Sequence, residues 1–182
     1  SPGGSMSYPE VRDIAARMRS FDGVACFAPF VSAGVRASGS ARRHWGFLVS
    51  GNYFDVTRSA FALGRGFTPG EDDTPGAPAR IVLAHALWRS RFDSDPSIVG
   101  RVIHVNKRAM TVVGVTAPAF RGTEVGVAPD FFLPLAQISE LDPTVDNRGR
   151  LTAYGSQWLT GLARLRPGLD PRQAQAELKG VA

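Results

Sequence analysis

Cysteine is nearly absent from this chain: Cys26 is the only one in 182 residues. That excludes an intrachain disulfide and a cysteine zinc cluster. Histidine stands only at His44, His85 and His104, in no HxH or HExxH spacing, so the sequence offers no pair of metal-ligating imidazoles. Lysine is confined to Lys107 and Lys179. No apolar run reaches the roughly 20 residues of a membrane-spanning helix. No glycine-rich stretch ends in GK[ST]; Leu63-Gly64-Arg65-Gly66-Phe67 lacks that ending and also fails GxGxxG, so it reads as a turn that sets Phe67 in the core. Without a Walker motif this chain is not an ATPase.

The same comparison disposes of other chemistries. Ser50 precedes a glycine but lacks the GxSxG frame of a nucleophile elbow. Cys26 sits in an apolar stretch, where a lone thiol packs. Glu71-Asp72-Asp73 is an acidic run without the alternating ligands of a calcium loop, and it reads as solvated surface. The sequence therefore assigns no catalytic, cofactor-binding or metal-binding residue, implies no cofactor, and gives no enzyme; substrate-binding residues are left unassigned. The net charge of +5 and pI of about 10.1 come almost wholly from scattered arginines interleaved with acids. Nucleic-acid recognition needs a basic stripe with aromatics. Arg42-Arg43-His44-Trp45 is the nearest approach, and it reads as the solvated start of a strand. A nearby anionic membrane surface is the milder account of the excess charge.

What the chain does have is apolar patterning. Hydrophobic residues make up 43%, enough for a core, while 20 glycines and 13 prolines point to many turns. Tyr8 to Arg19 has a helical face of Val11, Ile14, Ala15 and Met18, with Ser7 and Glu10 spaced as a capping box. Phe21-Asp22-Gly23 should end it. Val24 to Val35 reads as a strand broken, or lying at an edge, near Pro29. Arg43 to Val49 reads as its hairpin partner. Ser50-Gly51-Asn52 starts a short helix with Tyr53, Phe54 and Val56 in the core. Ile81-Val82-Leu83 suits a buried strand, and Ala84, Leu87, Trp88 and Phe92 recur at helical spacing. Asp95-Pro96 can begin a turn of helix that Gly100 stops. Arg101–Val105 and Ala109–Val115 flank Asn106-Lys107-Arg108 as a β-hairpin, with positive φ expected at Asn106. Phe131–Leu135 and Trp158–Leu165 read as strands, and Ile138–Tyr154 as a polar, turn-rich segment. Asp170-Pro171 begins a last helix, with Gln173 in capping-box position and Ala174, Leu178 and Val181 facing inward.

The strand–helix–turn–hairpin order of residues 81–122 resembles the periplasmic core domain of MacB-like ABC transporter permeases of the FtsX type. SGNYFDV at 50–56, LGRGFTPGED at 63–72, PDFFLPL at 129–135 and LARLRPGLDPRQAQAEL at 162–178 carry the resemblance across nearly the whole chain. It departs from the family's wording at Thr57-Arg58-Ser59, where Leu-Gly is common, and at Lys107, where glycine is frequent. The resemblance implies an α+β fold of two lobes: a porter-like α/β layer from residues 1–50 plus 155–182, and a smaller inserted mixed α/β lobe from 51–154. It implies a periplasmic, extracytoplasmic domain of an inner-membrane protein, without enzymatic activity, that transmits ATP-driven conformational change to envelope cargo or partner proteins. The implied partners are flanking membrane helices of a parent permease, a second permease copy, a cytoplasmic ATPase domain or subunit, and a periplasmic adaptor protein, but no nucleic acid. It also implies a further strand after the last helix, leaving an open sheet edge here. The rival readings are a stand-alone periplasmic binding module for a glycan or peptide and, more weakly, a cryptic hydrolase.

Overall fold

The computed structural model describes residues 5–37, 39–70, 74, 76–141 and 147–181. The acidic run Glu71-Asp72-Asp73 and the side chain of Val181 lie outside that description. Helix α1 (Tyr8–Arg17) carries the expected box: the Ser7 side chain accepts from Glu10 N–H, and the Glu10 carboxylate accepts from Ser7 N–H at 2.7 Å. The helix stops before Arg19 because Phe21-Asp22-Gly23 already belongs to β1 (Phe21–Arg36), a 16-residue strand.

Strand β1 is continuous through Pro29, against the expectation of a break. It absorbs the proline in a β-bulge. Ala28 pairs with Leu48 of β2 (Ala41–Val49) and Val31 pairs with Gly46, so three steps on β1 oppose two on β2. Phe30 takes φ of 64° there. The extra residue switches side-chain parity. Val24, Cys26 and Ala28 before the bulge, and Ala33 and Val35 after it, thereby feed one core cluster. The edge element of the expectation survives: on its other side β1 pairs with β8 up to Phe27 and with β5 only from Val35, so Pro29 falls between the two.

The described strands form one mixed sheet of eight. After α2 (Tyr53–Thr57) come β3 (Phe61–Gly64), β4 (Arg80–Leu83), α3 (His85–Arg91), β5 (Val102–Val105), β6 (Arg108–Thr116) and β7 (Phe131–Pro134). A 3-10 turn leads into α4 (Ile138–Leu141), followed by α5 (Asn147–Thr152), β8 (Thr160–Leu165) and α6 (Pro171–Val181). The pairings β1–β2–β7–β4–β6–β5–β1 run in a closed circuit, parallel at β2–β7 and β4–β6 and antiparallel elsewhere. Closure leaves these six strands as a barrel wall, which removes sheet edges there. β3 adds to β6, and β8 adds to the N-terminal half of β1.

Along Ile81–Leu83 of β4 and the whole of β7 both faces of the wall are buried. Inside stand Ala33, Val35, Leu48, Ile81, Leu83, Ile103, Val105, Met110, Val112, Phe131 and Leu133. Outside, Phe27, Phe47 and Phe132 meet Tyr53 and Phe54 of α2 and Phe67 of the following loop. This explains why Ile81-Val82-Leu83 and Phe131-Phe132-Leu133 are uninterrupted apolar runs rather than alternating ones.

Several local expectations need correction. Asp95-Pro96 forms turns, not a turn of helix; the Asp95 carboxylate accepts from Ser97 N–H at 2.9 Å, satisfying locally what a helix N-cap would satisfy. The hairpin loop is the two residues Asn106-Lys107, with φ of 47° and 69°, and Arg108 is already in β6. Two positive φ values are the mark of a type I′ turn, whose twist matches the flanking strands. The polar segment 138–154 contains α4 and α5. Trp158 and Leu159 precede β8 and hydrogen-bond to Met6.

Candidate functional site

The residues that chemistry would seek out are dispersed. His44 Nδ1 lies 3.0 Å from the Asp130 carboxylate, on the stretch where Asp130 N–H also donates to Trp45 C=O. His85 stacks edge-on against Trp88, and His104 is exposed on β5. Ser50 and Cys26 do meet, but structurally: Ser50 Oγ accepts from Cys26 N–H at 3.0 Å and donates to Asn52, whose amide donates to Val24 C=O at 2.8 Å. The SGN triplet therefore satisfies β1 backbone where β2 leaves it. Among the described residues no group of three His, Cys, Asp or Glu converges as a metal site. Arg42 and Arg43 are exposed at the start of β2, as expected of a solvated strand.

The expected turn is not formed at these residues: Gly64 ends β3, and the irregular stretch Arg65-Gly66-Phe67 that follows buries Phe67. Gly64 has φ of 64°, and a Cβ there would meet Val113 C=O at 2.2 Å. The glycine serves close backbone approach, not a phosphate.

The convergence that does exist joins the two terminal helices to the start of β1. Glu177, on α6, accepts from Arg19 N–H at 2.7 Å, from Ser20 N–H at 3.0 Å and from the Ser20 hydroxyl. The Arg19 amide first, and then the Ser20 hydroxyl, hold its carboxyl below the usual glutamate range. On the other side, Met6 exchanges backbone hydrogen bonds with Leu159 and accepts one from Trp158 N–H, and Tyr154 donates to Asp13 of α1 at 2.8 Å. Arg166 N–H donates to Ser20 C=O, and its guanidinium to Phe21 C=O. Residues 6–21 and 154–177 are thus clasped together at one end of β1. The inward face of α6 includes Ala174, as expected, but the sequence did not point to Glu177. Its partners are backbone amides at the end of α1, and amides leave no trace in side-chain spacing. The Arg19–Ser20 amides are free to donate because α1 has ended at Arg17.

This fold is that of extracytoplasmic regions of transporter permeases. The periplasmic region of MacB from Actinobacillus actinomycetemcomitans superposes with a TM-score of 0.70 at 14% identity, over 98% of this chain and 73% of that one. A domain of a putative permease protein from Porphyromonas gingivalis gives 0.67 at 14% identity, over 98% and 70%. The extracellular domain of the noncanonic ABC-type transporter YknZ from Gram-positive bacteria gives 0.63 at 13%, over 95% and 78%. No curated protein matches the sequence. Residues 1–181 match the MacB-like periplasmic core domain, and the chain belongs to that family. Among the described residues no helix is long and apolar enough to cross a membrane.

Proposed function

We propose that this chain is a non-enzymatic relay: the periplasmic domain of an inner-membrane ABC permease, passing ATP-driven movement to envelope cargo or a partner protein. The observation that carries the reading is the clasp. The elements nearest the two membrane attachments that the family implies are α1 and α6, and Glu177 of α6 is hydrogen-bonded to Arg19 and Ser20, the residues that join α1 to β1. β1 then runs 16 residues into the closed strand circuit. A displacement applied at both terminal helices would enter one strand and move the barrel as a body, because a hydrogen-bonded, close-packed wall deforms little. The work divides between a porter-like layer (residues 1–50 with 155–182) and an inserted lobe (51–154), with β1 and β2 shared by hydrogen bonding across that boundary. The partners in this reading are the permease's own flanking helices, a second permease copy, a cytoplasmic ATPase domain or subunit, and a periplasmic adaptor.

The test is made in the full-length permease with its ATPase. Spin labels at Arg42 and Lys179 report the distance between barrel and α6 with and without nucleotide, and cargo export is measured in parallel for Glu177→Ala. The relay predicts that labels on the membrane helices move relative to Arg42 on ATP binding while the Arg42–Lys179 distance stays constant. It also predicts that Glu177→Ala lowers export per ATP hydrolysed. A barrel that stays fixed relative to the membrane helices in every nucleotide state, with export per ATP unchanged in the variant, would sink it.

A further inference from the structure

A cavity of about 540 Å³ opens between α3 and the segment joining β6 to β7. One side of α3 lines it through His85, Arg89 and Ser90, and the facing wall includes Phe120, Arg121 and Pro129. The remaining lining is alanine and proline. No acidic residue lines it. Arg89 and Arg121 are exposed, and neither forms a salt bridge with a carboxylate among the described residues. Two arginines and a histidine thus line a largely apolar recess with no carboxylate among the described residues paired to them.

The recess is built rather than incidental. Its Phe120 ring packs on Tyr53, Phe54 and Phe132 at 5.8 to 6.4 Å, which ties the floor to the outer aromatic core. Gly122 holds φ of 83°, and a Cβ there would lie 2.9 Å from Pro129, so the segment folds back only because glycine stands there. Ala84 N–H donates to Asp130 C=O at 2.8 Å and pins the mouth of the segment to the end of β4.

We infer that this cavity is a binding site for an amphiphilic organic anion: a phosphate or carboxylate head taken between Arg89 and Arg121, with an apolar body laid against Phe120 and Pro129. Guanidinium pairs suit oxyanions because their planar donor forks match two oxygens at once. The aromatic and proline wall supplies the apolar complement that inorganic phosphate alone would not use. A free small molecule and the headgroup and proximal chain of an anionic lipid share this chemistry.

The test is calorimetric titration of the 182-residue chain with octyl phosphate below its micelle concentration, with octyl glucoside as the neutral match and inorganic phosphate as the head alone. Octyl phosphate should bind saturably at one site, octyl glucoside should not, and inorganic phosphate should bind more weakly. Arg89→Gln with Arg121→Gln should weaken octyl phosphate at least about tenfold, the loss expected of charge-assisted hydrogen bonds. Arg42→Gln with Arg43→Gln, on the exposed start of β2, should leave it unchanged. Amide shifts should map to Ala86, Ser90 and Phe120. Sedimentation with phosphatidylglycerol-containing vesicles separates the sources. Retention lost in the Arg89/Arg121 variant assigns a lipid, and binding of monomeric octyl phosphate without vesicle retention assigns a free anion. Equal binding of octyl glucoside, or octyl phosphate binding and vesicle retention that the double variant leaves intact, overturns the site. All guanidinium targets are exposed, and unchanged melting of the variants verifies that they fold.

Discussion

The enclosed face of the barrel is filled with aliphatic side chains, while its outer face, one strand thickness away, is filled with rings. Inside, Leu48, Ile81, Leu83, Ile103, Met110, Val112 and Leu133 come from strands that surround them on all sides. Phe131 is the interior exception; its ring lies over Gly46, where any Cβ would come within 2.3 Å of it. Outside, Phe27, Phe47, Tyr53, Phe54, Phe120 and Phe132 form a connected set at centroid separations of 5.1 to 6.4 Å, with Phe61 and Phe67 attached. The physical reason is coverage. A closed wall supplies neighbours in every direction, so small branched chains suffice. The outer face is covered by a five-residue helix, by Phe61 of β3 and Leu162 of β8, and by irregular segments, and few residues must fill the gap. Rings bury the most area per residue and gain edge-to-face attraction as well. The difference teaches that the two cores should fail differently.

The largest effect separates them directly. Phe132→Ala empties the centre of the ring set and should cost about 3–5 kcal/mol; Leu133→Ala, its neighbour on the opposite face, should cost about 2–5. Size alone does not distinguish them, but coupling does. A double-mutant cycle between Phe54 and Phe132, whose rings sit 5.2 Å apart at 73°, should show about 0.5–1.5 kcal/mol beyond burial. A cycle between Ile81 and Leu133 should show less, and equal couplings measured by urea denaturation would erase the distinction drawn between the faces.

Alkaline pH sharpens the same contrast, because the outer set contains a titratable ring. Burial pushes the Tyr53 phenol up to about 12 from an ordinary value of 10.0, against the smaller opposing influence of its 2.9 Å hydrogen bond to Thr123. The unfolded chain therefore ionises first. Tyr53 contributes stability that is full below pH 10 and is lost as pH rises toward 12, by roughly 2–3 kcal/mol at the limit. Tyr53→Phe should flatten the difference in melting temperature across that window relative to the wild-type chain. A parallel decline in both proteins would place the alkaline sensitivity elsewhere.

The enclosed face has its own intermediate test. Gly46→Ala forces a methyl into the Phe131 ring, which is fully buried and has nowhere to move, and overpacking of this kind costs about 1–3 kcal/mol. Adding Phe131→Leu should recover part of the loss. Recovery would show that the clash is with the ring and not with β2 pairing; no recovery in a thermal melt would refute the ring-over-glycine account.

The two faces were also unequally legible in the sequence. Strand runs such as Ile81-Val82-Leu83 announced elements buried on both sides, and the Ser7–Glu10 box announced α1. Tyr53, Phe54 and Phe67 were readable as core, but not as one ring set, because their neighbours Phe47, Phe120 and Phe132 arrive from distant segments. Pro29 was readable as an interruption; that it would be a parity-switching bulge depends on β2 pairing on both sides of it. The meeting of the two chain ends was expected from the family resemblance, but Glu177's part in it escaped because Glu177 binds backbone, and the cavity escaped because Arg89 and Arg121 lie 32 positions apart on elements whose docking no local pattern encodes. Asp95-Pro96 misled because an N-capping aspartate and an Asx turn use the same side-chain geometry.

The smallest effect comes from an exposed turn of the wall, away from both packed faces. At the β5–β6 turn, Lys107 holds φ of 69°, a region that strains a residue with a Cβ, and its side chain is exposed. Lys107→Gly removes that strain but gives the unfolded chain more freedom, so the net should lie between neutral and about 1 kcal/mol of stabilisation. Asn106→Gly is the informative partner. Asn106 tolerates its φ of 47°, and its side chain accepts from Gly34 N–H at 2.8 Å and donates to Leu141 C=O at 3.2 Å. Those bonds join the turn to β1 and to α4, so losing them should cost about 1 kcal/mol despite the better backbone fit. Opposite signs for the two variants in thermal melts would show that the turn is held by side-chain bonds rather than by either core. A clear loss on Lys107→Gly would mean that the lysine supports the barrel in a way its exposed position does not reveal, and the division into two packed faces would need a third term.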